Sequence, residues 1–228
     1  GRPKSTMSLL LVAVVASVLA IGQCNKNFTV TSEVVFDLEV KNYNGNGDDI
    51  SGKLVIGLFG ETAPVSVLNF KTLCEGYTAP NKAKLSYRNT YCHRLVRDML
   101  VQCGDVFGLD GRGSTSIYGE HFNDENFIIS YSSGGIVGYA NKGRDTNGSQ
   151  FFITFGASRF FDKKHVAFGK VLKGYQYLQA INRMGPQEKN QTPKRPIRFT
   201  DCAVNEVKKY ELTEKDMKTD DLEGIVTF

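Results

Sequence analysis

Residues 139–154 place a dense cluster of turn residues directly in front of a strand, and this constrains the chain more than any other stretch. Asn141, Gly143, Asp145, Asn147 and Gly148 crowd one short segment. Asn147-Gly148 is among the strongest turn pairs, because both residues tolerate positive φ. Gln150 to Phe155 is aromatic and β-branched and reads as a strand. A polar, glycine-bearing loop feeding a strand can present backbone carbonyls and one amide side chain beside a buried Phe. That suits an extended peptide held next to an apolar pocket. The same residues also fit a plain hairpin turn followed by a core strand.

The rest of the chain repeats this texture, with short apolar runs separated by turn residues. It has 23 glycines and no tryptophan in 228 residues, which points to an all-β fold with tight turns. At 41% hydrophobic and 23% charged residues the composition is that of an ordinary globular domain rather than a disordered chain. The length fits one domain with appendages. A formal charge of +4 without a basic run gives no reason to expect a nucleic-acid partner.

Gly1 to Thr6 read as upstream translated sequence or a cloning remnant. The apolar run after Met7 is too short to span a bilayer comfortably, which takes about 20 residues. It ends in small residues, so residues 7–22 are expected to be a signal peptide cleaved near Gly22, leaving no stable membrane span. Phe28 to Val40 alternates as a first strand, Asn42 to Gly52 is a loop, and Lys53 to Phe59 is a second strand. Pro64 to Gly76 reads as a helix with Pro in its first turn and Gly at its stop. A loop follows over Glu75–Tyr91. Val166 to Leu172 is a strand, Gly174 to Gly185 a second helix, and Ile197 to Val207 a closing strand. Residues 208–228 are charged and read as a flexible tail beyond a domain spanning 28–207, with an amphipathic partner-binding helix as the alternative reading.

Three stretches carry a resemblance: Cys92-His93-Arg94-Leu95-Val96 through Gln102-Cys103-Gly104-Asp105, Gln150-Phe151-Phe152 with its preceding loop, and Phe160-Phe161-Asp162-Lys163-Lys164-His165. With Ser116–Glu120 and Asp124–Phe127 between them, their order and spacing resemble the cyclophilin family of peptidyl-prolyl isomerases. The resemblance implies a closed eight-stranded antiparallel barrel with a helix capping each end. It implies an enzyme that speeds X–Pro isomerisation without a cofactor. Arg94 matches the catalytic arginine. Met99, Leu100, Phe152 and Phe161 match the proline pocket, and Phe160 and His165 its rim. Gln102 matches the residue that orients the arginine, Ala140 and Asn141 the backbone segment that pairs with substrate, and Gln150 a side-chain contact to it. The apolar residues among these also read plainly as ordinary core packing, and Arg94 as an exposed strand residue in a surface ion pair.

The chain departs from the family at several points. Met99 stands where most members carry Phe. Phe160 stands where cyclosporin-sensitive members carry Trp, so weakened binding of cyclosporin-like ligands is expected for want of the indole donor. Cys103 replaces a glycine, which implies strain if that position needs positive φ. Arg112 replaces a smaller residue near the pocket for residues before proline and points to acidic clients.

The resemblance implies a Cys74–Cys202 disulfide, as in divergent members with an enlarged loop. The odd count of five cysteines then leaves a free thiol, with Cys24 or Cys103 the candidates. Asn27 is the expected glycan site among three sequons. His93, His121 and His165 lie at no metal-ligand spacing, so no metal site is expected. The partners expected are proline-containing polypeptide clients met by a monomer in the secretory pathway, either in the ER lumen or after secretion. A client-binding escort, from a different functional class, would use the same groove.

Overall fold

In a computed structural model of the chain, residues 28–108 and 110–224 are described. The proposed signal peptide, Cys24 and Asn27 lie outside them. Strand β1 (Phe28–Val40) alternates strictly between buried and half-buried positions, as a strand with one face on a core should. It pairs on one side with β2 (Ile50–Leu58) and on the other with β11 (Ile197–Leu212), both antiparallel. The short strands between them are β3 (Tyr77–Thr78), β4 (Lys84–Leu85), β5 (Thr90–Cys92), β6 (Arg94–Val96), β7 (Leu100–Cys103), β8 (Ile136–Tyr139), β9 (Phe151–Thr154) and β10 (Ala167–Lys173). Nine strands form one antiparallel sheet in the order β5-β11-β1-β2-β10-β8-β9-β7-β6, and β3 with β4 forms a separate hairpin within the Glu75–Tyr91 loop. The sheet's terminal strands, β5 and β6, are separated in the chain by His93 alone. No ladder joins β5 to β6 among the described residues.

The fold is therefore mostly β, as the residues suggest, but its helix count is larger than expected. Helices α1 (Pro64–Glu75) and α2 (Tyr175–Met184) fall where the apolar spacing puts them, and a third, α3 (Glu214–Met217), lies in the segment read as a flexible tail. The described part of that segment, residues 208–224, is ordered. Strand β11 continues to Leu212, Thr213 caps α3 in a capping box with Asp216, and Leu212, Met217 and Leu222 are buried. Three apolar anchors spaced five apart match neither the helical nor the strand period. They were hidden by the charged residues around them.

The larger core is aromatic: the ring of Phe36 stacks on Phe199 at 4.2 Å, Phe70, Tyr87 and Phe151 pack around it, and Phe168 joins through Phe70. Helix α1 joins this core through Phe70 and Leu73 and is fixed at both ends. The Glu125 carboxylate accepts from the otherwise unpaired N–H groups of Val65 and Ser66 at 2.9 and 3.0 Å. The disulfide Cys74–Cys202 ties its last turn to β11, with Cα atoms 5.3 Å apart, as the resemblance implies.

Candidate active site

The hairpin β6–β7 sets Arg94 directly opposite Gln102 and Val96 opposite Leu100. Its turn needs a left-handed residue, which Asp98 supplies at φ 59°. Asn182 near the end of α2 accepts from Asp98 N–H at 2.8 Å and donates to the Asp98 carboxylate at 2.8 Å, fixing the hairpin to the helix. Arg94 and Gln102 therefore project from a clamped scaffold.

A chain of amide hydrogen bonds runs through the site. Arg94 donates from Nη1 to Gln102 Oε1 at 3.1 Å and from Nε to Gln191 Oε1 at 2.5 Å. Gln102 Nε2 donates to Gln150 Oε1 at 2.8 Å, and Gln150 Nε2 donates to the carbonyls of Gly111 and Gly113 at 2.8 and 2.9 Å. The Asp105 carboxylate then organises that glycine loop by accepting from the N–H groups of Phe107, Gly108, Gly111 and Gly113. Burial alone would push the Asp105 carboxyl up, but the four backbone donors together outweigh it and hold it below its ordinary value. Gly111 lies at φ +82°, and a Cβ there would sit 2.2 Å from the His93 ring, so this position has no room for a side chain.

Across the sheet Arg94 stands opposite Gln102 and Gln102 opposite Phe152, and Phe152 with Leu100 and Phe161 forms an apolar wall belonging to a second, smaller core cluster. The Phe152 and Phe161 rings lie 4.8 Å apart, and the His165 ring stands edge-on to both at 5.3 and 5.4 Å. His165 Nδ1 lies 2.9 Å from the Tyr139 carbonyl, which can only accept, so the proton belongs on Nδ1. Burial pushes the His165 imidazole below its ordinary value, so the ring is neutral at pH 7. Met99 is 38% exposed at the edge of this wall and Phe160 is 68% exposed, with Lys164 Nζ 3.7 Å above the Phe160 ring.

The sequence reading thus names residues that lie together, and the structure refines three roles. Gln150 is buried and its amide donors are spent on Gly111 and Gly113, so it braces Gln102. Ala140 donates its N–H to the Gln150 carbonyl, and Asn141 spends its amide on the Lys164 carbonyl, locking the loop onto the rim. Asn147 is fully buried and donates to Phe122 O and Asp124, which rules it out as a glycan acceptor in the folded chain. Gln191 and Asp105 were missed. Both sit in loops whose register with the site is set by tertiary contacts, and only a Gly-rich run after Asp105 hinted at a loop-organising carboxylate.

Cys103 corrects two expectations. It is not the free thiol but is paired with Cys92 across β5 and β7. It is also absent from the residues at positive φ. That conformation belongs to Gly104 at φ +89°, so β7 carries Cys103 without backbone strain.

The profile of the family described as "Cyclophilin type peptidyl-prolyl cis-trans isomerase/CLD" matches residues 39–204. The chain belongs to the cyclophilin-type peptidyl-prolyl cis-trans isomerases. It is 41% identical over 152 residues to peptidyl-prolyl cis-trans isomerase H of Mycosarcoma maydis, covering 67% of this chain and 97% of that relative. It is 40% identical over 151 residues to peptidyl-prolyl cis-trans isomerase 11 of Caenorhabditis elegans, covering 66% and 82%. Residues 208–224 of this cyclophilin, packed against its smaller core, lie beyond the matched region.

Proposed function

We propose that this cyclophilin isomerises X–Pro bonds in client polypeptides folding in the secretory pathway, with Arg94 as the catalytic donor. The bond's barrier is about 18–20 kcal/mol because the amide is conjugated. No bond breaks, so no nucleophile or metal is needed. A donor aimed at the prolyl nitrogen favours its pyramidal form and weakens that conjugation, and it acts best when preorganised in a partly dry site. Arg94 suits this role. A guanidinium has five N–H donors, and two glutamine oxygens fix its orientation while leaving donors for a substrate. Met99, Leu100, Phe152, Phe161 and His165 would take the proline ring, and Ala140 and Asn141 the neighbouring peptide. The fixed guanidinium, in line across the sheet with Phe152 of the apolar wall, is the observation that carries the reading.

Two disulfides fit an oxidising compartment, which supports the secretory reading. The family's closed barrel belongs to the same reading, with His93 bridging the ends of the sheet. The chain would act as a monomer, with Asn27 glycosylated. An escort that holds a client in the same groove is the second reading, favoured by the exposed Met99 and Phe160.

Peptide isomerisation followed for the wild type and Arg94→Ala tests the proposal. A loss of about a hundredfold in kcat/KM is expected. A folded wild type that binds proline peptides without accelerating them would favour the escort. Secretion from a eukaryotic host, followed by mass measurement, tests the compartment: the mature chain should begin near Gln23 and carry a glycan at Asn27.

A further inference from the structure

We infer that the Cys92–Cys103 disulfide is a positioning element of the isomerase site, closing covalently the hairpin that presents Arg94. The inference rests on Arg94 being the catalytic donor. The bond joins β5 to β7 across a sequence separation of 11, with Cα atoms 3.9 Å apart. Arg94, Met99, Leu100 and Gln102 all lie inside the ring it closes. Cys103 directly follows Gln102, and Cys92 stands two residues before Arg94.

The bond crosses the place where the sheet is otherwise open. Strands β5 and β6 share no ladder among the described residues, and beside the disulfide the His93 N–H donates to the Gln102 carbonyl at 3.1 Å. Cys92 is 4% exposed and Cys103 is fully buried, and both belong to the larger core, so the bridge backs the site and does not touch substrate. Replacing a bonded sulfur pair with two unlinked side chains removes the covalent tie between β5 and β7 and leaves the His93–Gln102 hydrogen bond to hold them. In a close-packed interior a shift of β5 against β7 reaches Gln102 and, through it, the guanidinium. The Cys74–Cys202 bond closes a separation of 128 between α1 and β11 and holds none of its flanking residues in the site, so it acts on stability alone.

The test compares Cys92→Ala/Cys103→Ala with Cys74→Ala/Cys202→Ala, each with and without Arg94→Ala, measuring kcat and KM on an X–Pro peptide alongside circular dichroism and Tm. Without the Cys92–Cys103 bond, kcat is expected to fall about tenfold with KM changed less than about twofold. Arg94→Ala should then cost less than it does in the wild type, as for groups acting as a unit. Cys74→Ala/Cys202→Ala should lower Tm and keep kcat. Full kcat in a folded chain lacking the Cys92–Cys103 bond would overturn the proposal, and so would an undiminished Arg94→Ala effect. If Arg94→Ala leaves the bridged enzyme active, the catalytic reading falls and this inference falls with it. Should the Ala pair not fold, Cys92→Val/Cys103→Ala refills the volume; failure of both to fold would assign the bridge to stability and overturn the positioning role.

Discussion

Gln191 and Arg94 stand 97 positions apart in the chain, yet the side-chain oxygen of the first accepts from Nε of the second at 2.5 Å. The Gln191 carbonyl also accepts from Leu95 N–H at 2.6 Å, so one loop residue grips both the backbone of β6 and the Arg94 side chain. Gln191→Ala should remove about 1 kcal/mol of orientation, roughly a fivefold drop in kcat/KM. The leading sign would be a lower kcat with little change in Tm, because Gln191 is exposed. An unchanged kcat would show that Gln102 alone orients the guanidinium.

Asp105 stands two residues beyond the Cys92–Cys103 ring and at the far end of the same chain of hydrogen bonds. Asp105→Ala leaves four backbone donors without their acceptor and should cost about 3 kcal/mol in urea unfolding. It should also lower kcat, since Gly111 and Gly113 lose their frame and Gln150 its anchor. The folded carboxyl is held below its ordinary value of 3.8, so its contribution is complete above that pH and is lost as pH falls through the lower folded value. Asp105→Asn should therefore flatten the stability profile below about pH 4.

Lys170 is fully buried, with Nζ donating to Ser133 Oγ at 3.1 Å and to the Gly134 carbonyl at 2.8 Å. Burial pushes its ammonium down to about 8, partly opposed by Asp220, Asp216 and Asp221. The unfolded chain keeps this proton up to about 10.5, so between the two values it binds more protons than the native state. Raising the pH through that window should stabilise the fold through this group. Urea midpoints for the wild type and Lys170→Met across the window check this, and equal slopes would contradict it.

Phe160 offers an exposed ring under Lys164 but no hydrogen-bond donor. Phe160→Trp adds an indole N–H at the rim and should tighten cyclosporin about tenfold, the equivalent of one hydrogen bond, while leaving peptide turnover within about twofold. Calorimetric titration reads the affinity of both proteins, since the wild type has no tryptophan to report binding. Equal affinity in the two proteins would place the ligand's main contacts elsewhere.

The candidate site residues could be named because the motifs that carry the family resemblance are short and contiguous. The β6–β7 hairpin carries Arg94, Met99, Leu100 and Gln102 within nine consecutive positions, and the loop before β9 and the rim from Phe160 to His165 are equally compact. The helices were legible in the residues themselves: Val67, Phe70 and Leu73 repeat at the period of the element they form. The Cys92–Cys103 pairing was not legible, since a strand pattern does not say which neighbour a strand meets.

By itself the sequence determined the alternating strands and the two apolar helices, because each follows from the local period and turn chemistry, while the groove residues were named only through the resemblance to the cyclophilins. The tertiary structure alone decided what those residues do to one another. It brought Gln191 to Arg94, Asp105 to the glycine loop, Cys92 to Cys103, and the charged C-terminal segment to the core through Leu212, Met217 and Leu222. Such contacts join positions with no shared local pattern. They exist only after burial of the apolar faces has fixed where each loop ends, and hydrogen bonds and a disulfide then select among the few partners left within reach.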